Sequence, residues 1–516
     1  MSESKYTPAS PAPSHPATLL HQFLEGAADA RGDEEALRYG DDRYTFRELD
    51  ERANALARAL HARGIGAGDR VLLYLPNQPA WLIAAFGILK AGAAAVLASA
   101  AYKHAELRHV GALTGPCLTI TDTEGAAVCA AAEVASHLLE AEGSAGGFEA
   151  FLEEHGGERL DLVLDPEETE AALCMSSGTT GLPKAVRHAH RSLVTGALQW
   201  RAALGMGADD RLQTFTPLSH ILGLANAAAG FASGALHRLF TRFDLDTMLH
   251  SIEEDRITIG IAVAPIAIAM ADHPELERFD LSSLRYFDWC ATPVVEDVAR
   301  RFTERTGVGW HTAYGATEAP VLTANPVHEP ERWRLDTPGL PAEGVEMQIV
   351  DLESHEPLTP GESGEVVVRG PNLMKGYLPE EANEEAFLPG GWYRTGDVGW
   401  MEPEGWLHLT DRVKEMIKVS GFQVAPAEIE AELLAHPSVA DCAVFGVAHP
   451  VKGQVPRAAV ALHPSADPVD AEVLIRWSAQ ALAGYKRLSG VDFVETIPRT
   501  PSGKALRRVL QEACQT

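Results

Sequence analysis

The sequence predicts an α/β protein built mainly of parallel sheets with helices on both faces, followed by a smaller α+β unit. Before Asp336, short apolar segments alternate with helical patterns, as they do in parallel βαβ arrangements. After Asp336 glycine and proline become frequent, and a new set of helix and strand patterns begins at about Glu415. A chain of 516 residues is also too long for one ordinary core, so two or more domains are expected.

The N-terminal half contains well-marked elements. A helix is predicted over LDERANALARALHARG, which has apolar residues three and four positions apart and ends at Gly64. A strand covered on both faces is predicted over the nearly all-apolar VLLYLP (71–76). The apolar region 81–101 is interrupted by Lys90 and two glycines, so a buried helix followed by a strand explains it better than a membrane span.

The second half begins with a strand predicted over SLRYFDWCATP and a helix over VVEDVARRFTERTG. Further on, GESGEVVVRG alternates like a half-exposed strand. The last unit combines predicted helices over AEIEAELLAHP and DAEVLIRWSAQAL with strands over VADCAVFGV and VPRAAVAL. We therefore predict a polar, disordered tail (1–16), an N-terminal domain (17–410), a charged hinge (411–414) and a C-terminal α+β domain (415–516).

Charge and cysteine content exclude several classes of function. Acidic residues exceed basic ones by 29, which argues against nucleic acid or an anionic membrane as the main partner. An anionic ligand therefore needs a local site of cations or backbone N–H groups. The six cysteines form no Cys-x-x-Cys pair, so neither a zinc cluster nor a redox dithiol is indicated. So few cysteines in a chain of this length predict a reducing cytoplasm.

The segment SSGTTGLPK (176–184) follows a predicted buried strand and suits a polyphosphate. Gly178 and Gly181 let the backbone N–H groups turn inward, and Lys184 adds a point charge. Its G-x-x-G-x-x-K spacing differs from that of P-loop proteins, and a plain surface turn is the alternative. The hydroxyl donors in this segment are Ser176, Ser177, Thr179 and Thr180.

The segment HTAYGATE groups an aromatic ring, a hydroxyl and a carboxylate within five residues. Tyr314 can stack on a flat base, Thr317 can reach a phosphate and Glu318 can hold Mg²⁺. The alternative is an ordinary strand end followed by a helix cap at Thr317.

Three further segments carry candidate polar residues. In WYRTGDVGW, Asp397 follows a glycine turn and could accept protons from two ribose hydroxyls, although an aspartate in a turn is a common structural feature. In DRVKEMIKVSGFQV, Arg412, Lys414 and Lys418 cluster at the domain junction; a solvated helix face is the alternative. In PRTPSGKALRR, Lys504 lies in a second Gly-Lys loop, which could also be a basic tail.

Together and in this order, these motifs resemble the adenylate-forming superfamily of acyl-CoA synthetases, peptide-synthetase adenylation domains and luciferases. The resemblance covers nearly the whole chain after the tail and rests on SSGTTGLPK, YGATE, YRTGD, DRVKEMIK and PSGK. Two segments, GEVVVRG and VAPIAIAMADHPELERFDLSSLR, look most like the 4-coumarate–CoA ligase and medium-chain acyl-CoA ligase branch. The resemblance implies a large N-terminal domain of stacked sheets with flanking helices and a β-barrel-like subdomain, and a small, mobile C-terminal domain.

The implied reaction has two steps. A carboxylic acid attacks ATP to give acyl-AMP and pyrophosphate, with Mg²⁺, and the thiol of coenzyme A then displaces AMP. The motifs do not distinguish coenzyme A from an amine or a carrier-protein thiol, so an amide bond synthetase and a carrier-protein ligase are alternatives. A non-catalytic nucleotide-binding relative is a further alternative, against which the intact Lys504 and Glu318 count. A monomer or homodimer without nucleic acid or membrane span is expected.

The resemblance also implies roles for individual residues. Lys504 would bridge the carboxylate and the α-phosphate in the first step, and Lys414 would be the hinge. Lys418 and Gln423 would face the site in one domain orientation. The other implied nucleotide contacts are the phosphate loop (176–184), Ala291, Thr292, Pro293, Tyr314 on adenine, Thr317 on the α-phosphate, Glu318 on Mg²⁺, and Asp397 with Arg412 on the ribose.

This chain departs from the family pattern in the implied acyl pocket. Trp289-Cys290-Ala291-Thr292-Pro293 stands where relatives read S-G-A-A-P, and Thr312-Ala313-Tyr314-Gly315 where many read Q-G-Y-G. Cys290 and Ala313 add volume where relatives carry glycine, so we expect a narrower or differently shaped pocket and a changed acyl specificity. The alternative is that these are packing substitutions. Departures outside the pocket are Ala185 after the phosphate loop and Ala98-Ser99-Ala100-Ala101 in place of N-P-x-x.

Three histidines allow more than one interpretation. His220 in PLSHILGL matches a histidine that borders the acyl pocket of related ligases and is a candidate for the site, although a core or helix-capping histidine is the alternative. His188 and His190 are spaced like a metal-binding pair, but two ligands make a poor site. We interpret them as loop histidines that follow the phosphate loop.

Overall fold

The computed structural model describes residues 17–134, 138–140, 152, 154–176, 183–420, 422–463, 469–480, 482–499 and 505–514. The predicted tail, 1–16, lies outside these ranges. The helices are α1 (Gln22–Arg31), α2 (Phe46–Ala62), α3 (Pro79–Lys90), α4 (His104–Thr114), α5 (Thr123–Ala132), α6 (His190–Ala203), α7 (Ile221–Ser233), α8 (Leu245–Asp255), α9 (Ala264–Ala271), α10 (Glu296–Thr306), α11 (Pro426–Leu434), α12 (Ala471–Ser478) and α13 (Arg507–Cys514).

The strands of the described residues form four sheets. They are β1 (Glu35–Tyr39), β2 (Asp42–Thr45), β3 (Arg70–Tyr74), β4 (Ala94–Leu97), β5 (Leu118–Thr121), β6 (Leu138–Glu140), β7 (Glu170–Ser176), β8 (Lys184–Ala189), β9 (Arg211–Thr214), β10 (Leu236–Leu239), β11 (Ile259–Ala262), β12 (Tyr286–Trp289), β13 (Trp310–Tyr314), β14 (Thr323–Ala324), β15 (Leu340–Pro341), β16 (Glu346–Val350), β17 (Gly364–Arg369), β18 (Gly376–Leu378), β19 (Phe387–Leu388), β20 (Trp392–Met401), β21 (Leu407–Arg412), β22 (Ile417–Val419), β23 (Phe422–Val424), β24 (Val439–His449), β25 (Gly453–Leu462) and β26 (Val491–Phe493).

The first sheet has seven strands in the order β18-β8-β7-β4-β3-β5-β6. Its strands from β7 to β6 are parallel, whereas β8 and β18 run antiparallel at one edge. One face packs against α4 and α5 through residues such as Leu107 and Val110. The opposite face belongs to the largest core, so both faces are buried, as the apolar sequence of β3 predicts.

The second sheet has nine strands in the order β15-β14-β13-β12-β11-β9-β10-β1-β2. Its central strands are parallel, and the edge strands β2, β14 and β15 pair antiparallel. One face packs against α8, α9 and α10. The largest core contains side chains from both sheets and from α1, α2, α3 and α7. Among them, Phe86 and Phe231 pack edge to face with their ring centroids 5.2 Å apart. These helices therefore join the first two sheets.

The third and fourth sheets are smaller. The third sheet pairs β16-β17-β20-β19 with β21 beside β20, all antiparallel, and forms the β-barrel-like part of the large domain. The fourth sheet, β23-β22-β25-β24 with β26 beside β25, packs against α11 and α12 around its own core. The third sheet ends at Arg412 and the fourth begins at Ile417. The exact domain boundary at 411–414 stays a prediction.

The structure confirms most of the predicted elements and corrects one. The apolar region 81–101 contains most of helix α3 followed by strand β4, and α2 ends two residues before Gly64. The expectation of a half-exposed strand at GEVVVRG is wrong: β17 is buried along nearly its whole length because it lies between β16 and β20. Within the described ranges, every helix is too short or too polar to cross a bilayer.

Candidate active site

A cavity of about 470 Å³ lies where the first three sheets meet. Its walls include the two ends of the β7–β8 hairpin, the loop after β13, the end of β21 and the start of α7, together with parts of β18 and β20. Parallel strands bring their carboxyl ends to one edge of a sheet, which places the end of β13 at the cavity. The cavity lining includes Ser176, Lys184, Trp200, His220, Ile221, Leu222, Cys290, Ala291, Ala313, Tyr314, Thr317, Glu318, Tyr377, Tyr393, Arg412 and Lys414.

The predicted phosphate loop connects the antiparallel strands β7 and β8. Ser176 and Lys184 face each other across this hairpin, and both line the cavity. The ammonium of Lys184 lies 5.0 Å from the ring centroid of Tyr377. Residues 177–182 lie outside the described part of the chain; among them are the predicted contacts Ser177, Gly178, Thr179, Thr180 and Gly181.

Asp397 connects two cavity-lining side chains. Its Oδ2 accepts a hydrogen bond of 2.5 Å from the hydroxyl of Tyr314, and its Oδ1 lies 2.8 Å from Nε of Arg412. Strand register brings the pair together, since Asp397 of β20 is opposite Arg412 of β21. Asp397 raises the pKa of Arg412, and burial together with Asp397 raises the pKa of Tyr314, so a cation and a neutral phenol are maintained. Asp397 itself is buried behind these two groups rather than lining the cavity.

Glu318 is held by the hydroxyl of Tyr377, which in turn contacts a second tyrosine. The hydroxyl of Tyr377 donates to Glu318 Oε1 at 2.6 Å and lies 3.0 Å from the hydroxyl of Tyr393. Burial raises the pKa of both tyrosines, and the nearby Glu318 charge contributes, so the two phenols stay neutral donors. This arrangement fixes one oxygen of the carboxylate.

The other end of the cavity is mostly apolar. It is formed by Trp200 of α6, by Ile221 and Leu222 at the start of α7, and by Cys290 and Ala313 next to the ends of β12 and β13. The thiol of Cys290 stays protonated because burial raises its pKa, with a further contribution from Asp288. The two candidate pocket residues Cys290 and Ala313 therefore lie together at the cavity floor.

His220 combines both of the roles considered from the sequence. It lines the cavity, and it is also the N-cap residue of α7, where its Nδ1 accepts a 3.3 Å hydrogen bond from the backbone N–H of Leu222. The capping bond orients the ring, since one ring nitrogen is engaged by the helix.

The structure does not place Trp289 in the acyl pocket, contrary to the expectation from sequence. Side chains alternate along β12, so Trp289 and Phe287 point into the core with α9 and α10, whereas Cys290 faces the cavity. The indole of Trp289 packs 5.1 Å from that of Trp310.

Two of the three predicted nucleotide contacts after Cys290 also lie away from the cavity. The hydroxyl of Thr292 accepts hydrogen bonds from the backbone N–H of Ala264 and from the indole of Trp289, and neither Thr292 nor Pro293 lines the cavity. Ala291 does line it, with a left-handed φ of 61° that turns the chain at this point.

A buried ionisable pair supports the apolar floor. Asp288 and His311, opposite each other on β12 and β13, are joined by a 2.7 Å contact between Oδ1 and Nδ1, and neither is exposed. Nε2 of His311 contacts the backbone carbonyl of Asn325 at 2.8 Å. Because that carbonyl can only accept, Nε2 carries a hydrogen. Asp288 and His311 each precede one of the floor residues, Cys290 and Ala313, by two positions and so lie on the same face of the sheet. No motif in the sequence indicated that they form a pair.

The predicted C-terminal contributors occupy different positions. Lys414 lines the cavity, whereas Lys418 is an exposed residue of β22 whose backbone pairs with Gln423 of β23. The side chain of Gln423 lies outside the described part of the structure, as does the whole of Lys504.

Tyr377 and Trp200 are site residues that sequence reasoning missed. Tyr377 lies in the short edge strand β18, which pairs with β8 and so reaches the cavity beside Lys184. In the sequence, Tyr377 appears only as part of a glycine–tyrosine pair in NLMKGYLPE. Such a pair does not indicate a functional site unless its contact with Glu318 is known. Trp200 comes from a helix with no motif, and only the packing of α6 on α7 brings it to the cavity.

The interpretation of His188 and His190 as loop histidines is wrong. His188 lies in β8, His190 begins α6, and both are fully buried. Burial lowers the pKa of each to about 4, so both rings are neutral. His188 Nε2 contacts the carbonyl of Thr317 at 2.8 Å, and His190 Nδ1 accepts from the N–H of Leu20 at 3.0 Å.

Comparisons with known sequences match nearly the whole chain. The family of AMP-binding enzymes matches residues 24–378, and the AMP-binding enzyme C-terminal domain matches residues 428–504. Feruloyl-CoA synthase of an Amycolatopsis species is 34% identical over 475 residues, which cover 92% of this chain and 94% of the relative. The 4-coumarate–CoA ligase 2 of Oryza sativa subsp. japonica is 34% identical over 499 residues, with coverage of 91% and 87%.

Solved structures of the same architecture are also similar. ATP-bound MatB from Rhodopseudomonas palustris superposes with a TM-score of 0.90 at 27% identity and covers 96% of this chain and 98% of its own. O-succinylbenzoate coenzyme A synthetase (MenE) from Bacillus subtilis, in complex with ATP and magnesium ion, gives a TM-score of 0.82 at 28% identity, with coverage of 94% and 98%.

Proposed function

The chain belongs to the AMP-binding enzyme family, and we propose that the cavity described above is where it carries out AMP-forming acid–thiol ligation. In the first step a carboxylate oxygen attacks the α-phosphorus of ATP, the bond to the β-phosphate breaks, and acyl-AMP and pyrophosphate form. In the second step the sulfur of coenzyme A attacks the acyl carbonyl carbon, its proton passes to solvent, and AMP leaves.

The observation that carries this proposal is the two-ended cavity. At its polar end the cavity is lined by Lys184, Tyr314, Glu318 and Arg412, which suit a nucleoside triphosphate. Its other end is apolar. A carboxylic acid whose organic part lies on the apolar floor at Cys290 would direct its charged end toward the nucleotide. Holding both reactants in one cavity turns a slow encounter of two anions into a reaction within one complex.

We assign the nucleotide contacts as follows. Tyr314 stacks on adenine, and Arg412 binds the ribose. Asp397 lies behind Tyr314 and Arg412 and fixes both side chains. Thr317 contacts the α-phosphate. The phosphate loop, including Lys184, surrounds the β- and γ-phosphates. Fixed N–H groups and cations of this kind stabilise charge that develops on the phosphate oxygens.

Magnesium fits the residues present as a cation that arrives with ATP. Mg²⁺ in nucleotide sites is commonly bound by one or two carboxylates together with phosphate oxygens. Glu318 offers one carboxylate at the cavity, and its second oxygen is available while Tyr377 holds the first. When bound there, Mg²⁺ supplies charge neutralisation at the phosphates.

We propose that the C-terminal domain supplies Lys504 in the first step and withdraws it in the second, with Lys414 as the hinge. The position of Lys414 at the cavity, two residues after the proposed nucleotide contact Arg412, supports this arrangement. A domain movement of this kind admits the thiol only after the adenylate has formed. Lys418 and Gln423 would then face the site in one of the two orientations.

For the acid, we propose a compact and largely apolar or aromatic molecule. The relatives named for ferulate and 4-coumarate point to aromatic acids, and Cys290 and Ala313 at the floor leave less room than the glycines typical of related ligases. We further propose a monomer or homodimer in the cytoplasm; the low number of cysteines in a chain of this length supports the reducing compartment.

One experiment tests the proposed function. The protein is incubated with ATP, Mg²⁺ and a panel of aliphatic, aromatic and cyclic acids, with coenzyme A in one series and an amine in another, and products are identified by mass. Acyl-CoA with AMP is expected. Amide without thioester would instead support an amide bond synthetase, and the absence of AMP with every acid would support a nucleotide-binding protein.

A further inference from the structure

His188 connects the strand that leaves the phosphate loop with the loop that carries Thr317 and Glu318. It lies on β8, four residues after the cavity-lining Lys184, and its side chain is wholly buried. Its Nε2 contacts the backbone carbonyl of Thr317 at 2.8 Å, and its Nδ1 contacts the hydroxyl of Ser192 on α6 at 3.0 Å.

The direction of the hydrogen bond follows from its partner. A backbone carbonyl can only accept, so Nε2 of His188 carries the hydrogen and donates to Thr317. In the neutral ring Nδ1 is then an acceptor. The hydroxyl of Ser192 lies 3.0 Å from this nitrogen and 3.0 Å from the carbonyl of Ala189, so its single hydrogen can be donated to either acceptor. Ser192 therefore contacts the ring at Nδ1, and the ring holds the carbonyl of Thr317.

The neighbouring residue of the same loop is held from the other side. The N–H of Met374 donates to the carbonyl of Glu318 at 2.9 Å, and Tyr377 donates to its carboxylate. Two consecutive residues at the cavity are therefore fixed by contacts from β8, from Met374 and from β18.

We propose that His188 is a positioning residue that holds the Thr317–Glu318 loop in the geometry needed to bind magnesium and ATP, a role that rests on the function proposed above. It touches neither the nucleotide nor the acid. Its loss is expected to affect MgATP and the first reaction step while leaving recognition of the acid intact.

His190 provides a matched control. It is equally buried and neutral and lies two residues away, but its hydrogen bond goes to Leu20 and not to the cavity loop. His188→Leu and His190→Leu therefore remove the same ring from the same neighbourhood. Only the first breaks a contact with a loop of the site.

The test measures acyl-AMP formation by ATP–pyrophosphate exchange, with separate titrations of MgATP and of the acid. His188→Leu should lower kcat by about 10- to 100-fold and raise KM for MgATP, with little change in KM for the acid. His188→Gln should recover much of the loss, because its amide N–H can reach the carbonyl of Thr317. His190→Leu should resemble the wild type in both titrations.

Thermal unfolding with and without MgATP provides a readout that does not require turnover. His188→Leu should lose most of the stabilisation by MgATP that His190→Leu retains. Equal behaviour of the two leucine variants in both assays, or no recovery with glutamine, overturns the proposal. A wild type that is stabilised by MgATP yet makes no acyl-AMP refutes the proposed function while this comparison still tests His188.

Ser192→Ala covers the case in which His188→Leu does not fold. It removes the hydroxyl that contacts Nδ1 of His188 and the carbonyl of Ala189, and it keeps the histidine. A rise of about fivefold in KM for MgATP is expected, as for one lost hydrogen bond. If Ser192→Ala then binds MgATP like the wild type, the proposal is wrong.

Discussion

The polar and the apolar ends of the cavity are held in place by different forces. At the polar end, directional contacts fix the side chains: Asp397 binds Tyr314 and Arg412, and Tyr377 binds Glu318. At the apolar end, Trp200, Leu222 and Cys290 are positioned by packing of helices on a sheet. In the function that we propose, the nucleotide chemistry depends on the first kind of contact and the choice of acid depends on the second.

The largest effect should come from Lys504→Ala, which removes the cation that we propose to join the two reactants. We expect adenylate formation to fall by about 100- to 1,000-fold or more, because charge on the attacked phosphate loses its partner. Pyrophosphate release measures this step. Thioester formation from supplied acyl-AMP and coenzyme A should remain largely intact, and an equal loss of both half-reactions would contradict the proposed domain alternation.

Asp397→Asn tests the polar end itself. The change keeps the shape but removes the charge that holds Arg412 and accepts from Tyr314. A hydrogen bond to a charged group is worth about 2 kcal/mol, so kcat/KM for ATP should fall by about 30-fold. The ranking of different acids should stay the same. If that ranking changed, the two ends of the cavity would not be independent.

The polar end could be predicted from the sequence to a large extent. Five motifs indicated the family, which the comparisons confirm, and the structure brings Ser176, Lys184, Tyr314, Thr317, Glu318 and Arg412 to one cavity. These residues lie at strand ends and turns, where local sequence determines where the chain exposes a side chain. Asp397 was placed in the correct motif, but its position behind Tyr314 and Arg412 depends on strand register.

The apolar end could be predicted only in part. Cys290 and Ala313 were inferred correctly as neighbours at the cavity, but Trp289 was assigned to the same wall although strand alternation turns it to the opposite face. A motif comparison treats adjacent residues alike, whereas a strand separates them. The burial of His188 was missed because the sequence does not show which loop will pack over β8.

The double variant Cys290→Gly with Ala313→Gly tests the apolar end. Removing both side chains from the floor should admit bulkier acids, with a gain of about tenfold in kcat/KM relative to a small acid, the scale expected for one or two methylene-sized groups. Kinetics with a graded series of aromatic acids measure the change. KM for ATP should stay close to that of the wild type. An unaltered acid profile would mean that the two residues only fill the core.

Tyr377→Phe should have the smallest effect and tests how far directional contacts matter at the polar end. The variant keeps the ring beside Lys184 but loses the hydroxyl that donates to Glu318. Glu318 lines the cavity, where water can replace the lost donor, so the net loss is about 1 kcal/mol, smaller than for the buried Asp397. The Mg²⁺ concentration for half-maximal adenylation should therefore rise by about fivefold. Acid specificity should be unaffected, since the hydroxyl lies away from Cys290 and Ala313.

Tyr393→Phe is the matched control, because its hydroxyl contacts Tyr377 while Tyr377 retains its own bond to Glu318. If both variants required the same amount of Mg²⁺ as the wild type, packing alone would hold Glu318, and the distinction between the two ends of the cavity would be lost.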